Sequence, residues 1–500
     1  MLERMTKRCD KIALVMFYVL MADVCIFGAG KLISLGSLTF RMLLLGLTGL
    51  VALPVIFKNI PYLMKNKYTW VIGGFCIWLI ISTILGIKNR NATALMITDL
   101  KGFLYFALFP IAMCLIRTRQ RVERLSKVLM YSAAVMAIIH VLCIVWHLVH
   151  PDSLFAFNAF AYEKHFFYIS FFISPTNIRI NFLSLVCLLF GCALSVYYRV
   201  KEQIAWKKYL YTLITGICLF AIWLSYTRSI YLAAGISALC TVIVFLIRTD
   251  WTQKRRLIAH LCGGLAVFFV IIGAFWIGTG TNYFQYGLDR ALVGTRLGQQ
   301  LQSGGSWFGE ATGQLETTEP SGTTEPIATT GQLETTEPSG TTEPIATTEP
   351  GVTVPTEQAQ LDGLMTTTVT SDDLRTLTIN DLMTNIGRSP IWGLGLGATI
   401  PSRPDGLNEY FFLDLWSKTG LIGLCLYLAP LVLMAFDLLK HLRNKSGMFH
   451  LMGIWAAVIL GFVAYSYFTP CMNSSVGIMC YCCAMAVSQQ TTTELSQKTN

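Results

Sequence analysis

Long apolar runs alternate with short polar breaks along nearly the whole chain. A helix that crosses a bilayer needs about 20 consecutive, mostly apolar residues. Runs of that kind recur at about 12–29, 38–57, 69–87, 101–116, 126–148, 180–198, 208–226, 229–247, 257–278, 419–438, 449–468 and 471–488. Backbone groups in lipid must be satisfied within the segment, so runs this long predict helices. The pattern predicts an all-α fold, a polytopic transmembrane helical bundle of about 12 spans, with one long extracytoplasmic loop between spans nine and ten. Residues 1–278 form an N-terminal bundle of about nine spans, 279–410 the loop, 411–488 the last spans and 489–500 a cytoplasmic tail. The first run has no convincing small-residue cleavage site after it and is expected to stay as the first span.

The loop changes character along its length. Residues 313–348 are two copies of the 18-residue unit GQLETTEPSGTTEPIATT, and 349–370 continue in the same Thr/Glu/Pro style. Few large apolar groups and regular proline cannot offset the entropy lost on folding, so 313–370 is expected to be a disordered insert dispensable for activity. From about 372 structure is expected again. Ser371-Asp372-Asp373 suits a helix start, with acids at the positive end of the helix dipole. Leu374, Leu377, Leu382, Met383 and Ile386 give an amphipathic helix of about 14 residues, ending near Gly387 with Pro390 beyond.

Composition supports the membrane reading. Of the 500 residues 54% are hydrophobic and 13% charged, with a mean hydropathy of +0.56. A soluble domain carries roughly 25% charge. The net charge of +10 is not a nucleic-acid footprint, because the basic residues sit in clusters between apolar runs. With a cytoplasmic N-terminus, 24 of the 38 lysines and arginines fall on the inner turns and the inner tail. That satisfies the positive-inside rule and requires an even number of spans, with both termini cytoplasmic. The 15 cysteines lie mostly inside apolar runs and read as small packing residues, not as a disulfide framework or a zinc site.

Three constellations on the outer side carry candidate chemistry. In Leu224-Ser225-Tyr226-Thr227-Arg228-Ser229 an arginine joins two apolar runs with almost no loop, against the positive-inside bias. A snorkelling interfacial arginine is its alternative reading. Arg375 lies on the amphipathic helix and is followed by Ser389-Pro390-Ile391-Trp392-Gly393-Leu394-Gly395-Leu396-Gly397, whose alternate glycines allow close backbone approach or simply a turn. Asn408-Glu409-Tyr410-Phe411-Phe412-Leu413-Asp414-Leu415-Trp416-Ser417-Lys418-Thr419-Gly420 then leads into the tenth span.

Taken in order, these features resemble the O-antigen ligase / O-antigen polymerase (Wzy-type) family of bacterial envelope proteins. The resemblance covers most of the chain in topology and about 371–440 in motif. It implies a metal-independent glycosyl transfer, without a cofactor, on the outer face of the cytoplasmic (inner) membrane. The donor would be a glycan on an undecaprenyl pyrophosphate carrier and the acceptor a sugar hydroxyl, either on another lipid-linked glycan (polymerase) or on lipid A core (ligase). Other polysaccharide-assembly proteins would be further partners, and nucleic acid would not. By the same resemblance Arg228 and Arg375 would hold the donor pyrophosphate, with Arg179, expected at the start of the sixth span, touching it as well. Guanidinium groups suit that task because they make bidentate, charge-assisted contacts to phosphate. The sequence departs from the family at one place: its His-Asn pair falls on Glu409-Tyr410, and 402–415 contains no histidine. Glu409 is therefore the candidate general base, with Asp414 a second carboxylate nearby. This departure favours a polymerase, or a more general glycan enzyme, over a ligase.

The main competing reading is a polytopic secondary transporter or flippase of envelope precursors. It fits the span count, but related halves and mid-membrane charges are not evident in the sequence.

Overall fold

The computed structural model describes residues 2–28, 34–35, 38–149, 167–174, 177–182, 184–280, 282–292, 374–406, 408–444 and 448–499. The repeat insert 313–370 and the helix start at Ser371-Asp372-Asp373 lie outside the described residues. In chain order the elements are α1 (Leu2–Phe27), β1 (Ser34–Leu35), β2 (Leu38–Thr39), α2 (Phe40–Lys58), α3 (Ile60–Met64), α4 (Lys67–Lys88), α5 (Thr93–Phe103), α6 (Leu108–Leu115) and α7 (Arg119–Val149). They continue with β3 (Phe167–Ser174), β4 (Asn177–Phe182), α8 (Leu188–Lys201), α9 (Ala205–Leu224), α10 (Arg228–Arg248), α11 (Trp251–Thr279) and α12 (Tyr283–Leu292). After the insert come α13 (374–388), α14 (Phe411–Arg443), α15 (Phe449–Ser466) and α16 (Ser475–Thr499).

Among the described residues nine helices are long and apolar enough to cross a membrane. One is the composite Thr93–Leu115, in which α5 and α6 are joined through a 3-10 turn at Leu104–Ala107. Many large apolar side chains on these helices point outward: Leu50, Ile77, Ile84, Val270 and Ile277 are all exposed. Water would penalise that surface at about 25 cal/mol per Å²; a bilayer would not. The interior is apolar as well and is tied by a few polar pairs. Arg41, almost fully buried, donates from Nε to Asp23 Oδ2 (2.8 Å) and from Nη1 to Ser475 Oγ (2.9 Å), fastening α2 to α1 and α16.

Contacts between helix termini define a basic end of the bundle. Arg121 at the start of α7 is paired with Asp10 of α1. Lys67 and Tyr68 at the start of α4 meet Asp437 near the end of α14, with Tyr68 Oη donating to Asp437 Oδ2 over 2.7 Å. Tyr198 of α8 donates to Glu123 O (2.9 Å), and Arg256 of α11 to Val200 O (3.3 Å).

The sixth apolar run is corrected by the structure. Residues 180–198 are not one helix: β4 occupies Asn177–Phe182, a 3-10 turn follows at Leu185–Cys187, and α8 begins only at Leu188 and is 14 residues long. The reason is visible in Asn177-Ile178-Arg179-Ile180-Asn181-Phe182, where polar and apolar residues alternate with the period of a strand rather than a helix. Its antiparallel partner is β3, with Ile169 opposite Ile180 and Ser170 opposite Arg179. Arg179 therefore sits on a β-ribbon, not at a helix start. The purely helical expectation is amended accordingly, by this ribbon and the small one formed by β1 and β2.

Candidate functional site

The site is built on the segment between α13 and α14. The amphipathic pattern read from the sequence is what seats α13: Thr378, Leu382, Asn385 and Ile386 face inward and are buried, while Arg375 and Leu377 stay exposed. Leu382 packs with Ile400 and Tyr410, so the helix is docked onto the segment that follows it. Asn385 Nδ2 donates to Thr399 O (3.1 Å), and Asp381 Oδ2 accepts from Ser402 N (3.0 Å).

Between these anchors, residues 389–399 form a glycine strap threaded between α4, α5 and the start of α14. Its backbone is satisfied by neighbours far away in sequence. Leu394 N donates to Ser417 O (2.9 Å), Gly395 N to Lys418 O (2.9 Å) and Leu396 N to Ser82 O (3.0 Å). Asn91 Nδ2 reaches Leu394 O (3.1 Å) and Leu396 O (2.9 Å). On the other side, Leu421 N donates to Pro390 O (2.9 Å), and Trp78 stacks on Trp392 with ring centroids 5.5 Å apart. Two glycines make this possible. Gly395 has φ +86, and a Cβ there would come within 2.5 Å of Gly86 Cα. Gly420 breaks α14 with φ 69 and ψ 179, a region essentially reserved for glycine. The alternating glycines thus serve backbone packing.

Beneath the strap lies a buried charge cluster. Lys418 Nζ bonds Asp99 Oδ1 and Asp414 Oδ2, each at 2.9 Å. Asp99 Oδ2 accepts the Gly397 amide (2.8 Å), and Asn408 Nδ2 donates to Asp414. Asp414 is therefore committed to holding Lys418 and Asn408, and the arrangement pins strap to bundle.

On the exposed side the structure brings Arg375 and Glu409 together. Arg375 Nε donates to Glu409 Oε2 (3.2 Å), and Arg403 Nη2 to Glu409 Oε1 (3.4 Å). The three side chains are 28–44% exposed. Pairs this open to solvent contribute about 0–1 kcal/mol, so the cluster is not explained by stability. Around it, polar atoms remain unsatisfied: among the described residues Arg403 Nε, Ser402 Oγ and Asn408 Oδ1 are buried without a hydrogen-bond partner.

Arg228 is the first residue of α10, after Tyr226, whose φ of 47 is unusual for a residue with a Cβ. Its Nε is buried and has no partner among the described residues. A cation at a helix N-terminus adds to the positive end of the dipole, an arrangement that favours an anion. A chain of contacts links the neighbours of Arg228 to those of Glu409. Ser229 Oγ lies 3.5 Å from Thr469 Oγ1, just beyond α15, and Tyr467 contacts Tyr410 edge to face at 6.1 Å. Arg179 lies on β4, and its side chain is outside the described set.

Two members of the site escaped the sequence reading. Arg403 sits in Pro401-Ser402-Arg403-Pro404, where nothing local marks it. Asp99 lies just before the apolar run read at 101–116 and falls inside the longer helical stretch Thr93–Leu115, where a carboxylate demands a partner.

The fold and site define a helical protein that has, among the described residues, nine helices long and apolar enough to cross a membrane and a polar cluster mounted on a glycine strap. No protein-family model matches the chain, and no curated protein matches it.

Proposed function

We propose that the protein is a bacterial envelope glycan polymerase or ligase. It transfers a glycan from an undecaprenyl pyrophosphate carrier to a sugar hydroxyl, on the outer face of the cytoplasmic membrane. In this reading α1, α16 and α8 extended by the 3-10 turn Leu185–Cys187 complete about 12 spans with the nine apolar helices, both termini are cytoplasmic, and the strap faces outward. The observation that carries the reading is the convergence of Arg375 and Arg403 on Glu409.

The chemistry follows from that arrangement. The donor pyrophosphate competes with the Glu409 carboxylate for the same guanidinium groups, and its arrival releases Glu409. Glu409 then accepts the proton of the acceptor hydroxyl. The acceptor oxygen forms the new bond to the anomeric carbon as the bond from that carbon to the pyrophosphate oxygen breaks. Arg228 and Arg375 take up the negative charge that develops on the departing pyrophosphate.

The test is complementation of a strain lacking the gene with wild type, Arg228→Ala, Arg375→Ala and Glu409→Gln, reading surface glycan length on a gel at matched protein level. Loss of a general base costs roughly 10²–10⁴-fold, and loss of a charge-stabilising donor about 10²–10³-fold. The expected outcome is long glycan with wild type and none with the three variants. Full-length glycan from all of them would make these residues structural and move a transporter ahead.

A further inference from the structure

The basic end of the bundle holds a cleft of about 410 Å³ far from the strap in the sequence and not used by the proposed transfer. Cations from three separate parts of the chain line it: Lys7 of α1, Lys58 at the end of α2, and Arg117 and Arg121 at the α6–α7 junction. Its lining carries one acid, Asp10, which is engaged by Arg121 through both guanidinium N–H groups. Lys58 and Arg117 thus face the cleft with no second carboxylate among its lining residues.

Arg117 is held in place for a ligand. Its guanidinium lies over the Tyr62 ring, 4.4 Å from the centroid, and Nη1 donates to Asn59 Oδ1. Its other N–H groups, like the Lys58 ammonium, have no partner among the described residues. A fixed guanidinium with open donors, beside a mobile ammonium, matches a phosphate oxygen set. The positive-inside bias explains why lysines and arginines occur at this end. It does not explain the convergence of Lys58 and Arg117, from two separate chain segments, on one concavity, where like charges repel. Phe57 (65% exposed) and Ile60 (43% exposed) flank the lining residues Lys58 and Asn59 in the chain, so exposed, lipid-suited apolar side chains adjoin them in sequence.

We propose that this cleft binds a phosphate group, supplied by an anionic lipid headgroup of the adjoining leaflet or by soluble phosphate. The test uses the purified full-length protein in detergent. Native mass spectrometry reads retention of phosphatidylglycerol against phosphatidylcholine, and a thermal melt reads the effect of inorganic phosphate. Wild type is expected to retain phosphatidylglycerol about tenfold more than phosphatidylcholine, the size of one charge-assisted contact. Lys58→Glu with Arg117→Gln should remove that preference, whereas Arg255→Gln, a basic-end cation outside the cleft, should keep it. Lys58→Gln alone touches an exposed side chain without a described partner, so it leaves folding intact and should lower the preference. A melting temperature raised by inorganic phosphate in wild type but not in the double variant would identify soluble phosphate as a sufficient source. Equal retention of the two lipids by wild type, with no phosphate effect on its melt, would overturn the proposal. So would lipid preference and phosphate response unchanged in the double variant.

Discussion

Lys418→Met is expected to destabilise the protein by about 3–5 kcal/mol, the cost of breaking a buried ion pair by removing one partner. Lys418 is almost fully buried, and its ammonium is the counter-charge to both Asp99 and Asp414. Without it two carboxylates face each other in an apolar setting, one holding the Gly397 amide and the other Asn408. An SDS unfolding titration of the purified protein should show the midpoint fall. Asp99→Asn combined with Lys418→Met should lose less than Lys418→Met alone, because one unpaired charge is removed while an oxygen stays to accept from Gly397. Such non-additivity marks groups that act as one cluster. A wild-type midpoint for Lys418→Met would show that the cluster does not hold the strap.

Gly420→Ala is expected to have an effect of similar size for a different reason. With φ 69 and ψ 179 the residue occupies a region that side chains avoid, at about 1–3 kcal/mol. An alanine Cβ would also collide with Ile391 O and lie 2.5 Å from Trp392 C, both backbone atoms of the strap. Neither can yield without breaking the bonds from Leu421 N to Pro390 O and from Ile422 N to Ile391 O. The readout is the monodisperse fraction in fluorescence-detected size exclusion, which should fall to a small share of wild type. Gly73→Ala, on α4 with open space around its Cα, should leave it unchanged.

The two variants separate architecture from chemistry. Both should abolish any activity by dislodging the strap, whereas Glu409→Gln and Arg375→Ala change only a half-exposed cluster that contributes little to stability. A loss of glycan with the latter pair, at wild-type protein level, would therefore report on the site itself.

What the sequence determined by itself is local. Runs of about 20 apolar residues can only be helices in lipid; the sequence led to an expectation of about 12 spans, and nine helices among the described residues are long and apolar enough to cross a membrane. Of the expected apolar set on α13, Leu382 and Ile386 face inward while Leu377 and Met383 are exposed, so the helix was legible in the sequence but its inward face only in part. Even the correction at 180–198 was written locally, in the alternation around Arg179 that a hydropathy window averages away. What only the tertiary structure decided is pairing across distance. Asp99 and Lys418 are 319 residues apart, and nothing near either names the other. Arg403 joins Arg375 on Glu409 only because α13 and the strap fold back on the start of α14. The alternate glycines were visible, but their purpose depends on Ser82 and Gly86 of α4 and on Asn91 between α4 and α5. Helix formation is set by short-range backbone bonding and burial. A polar site in a membrane protein is set by which helices supply partners for groups that lipid cannot satisfy.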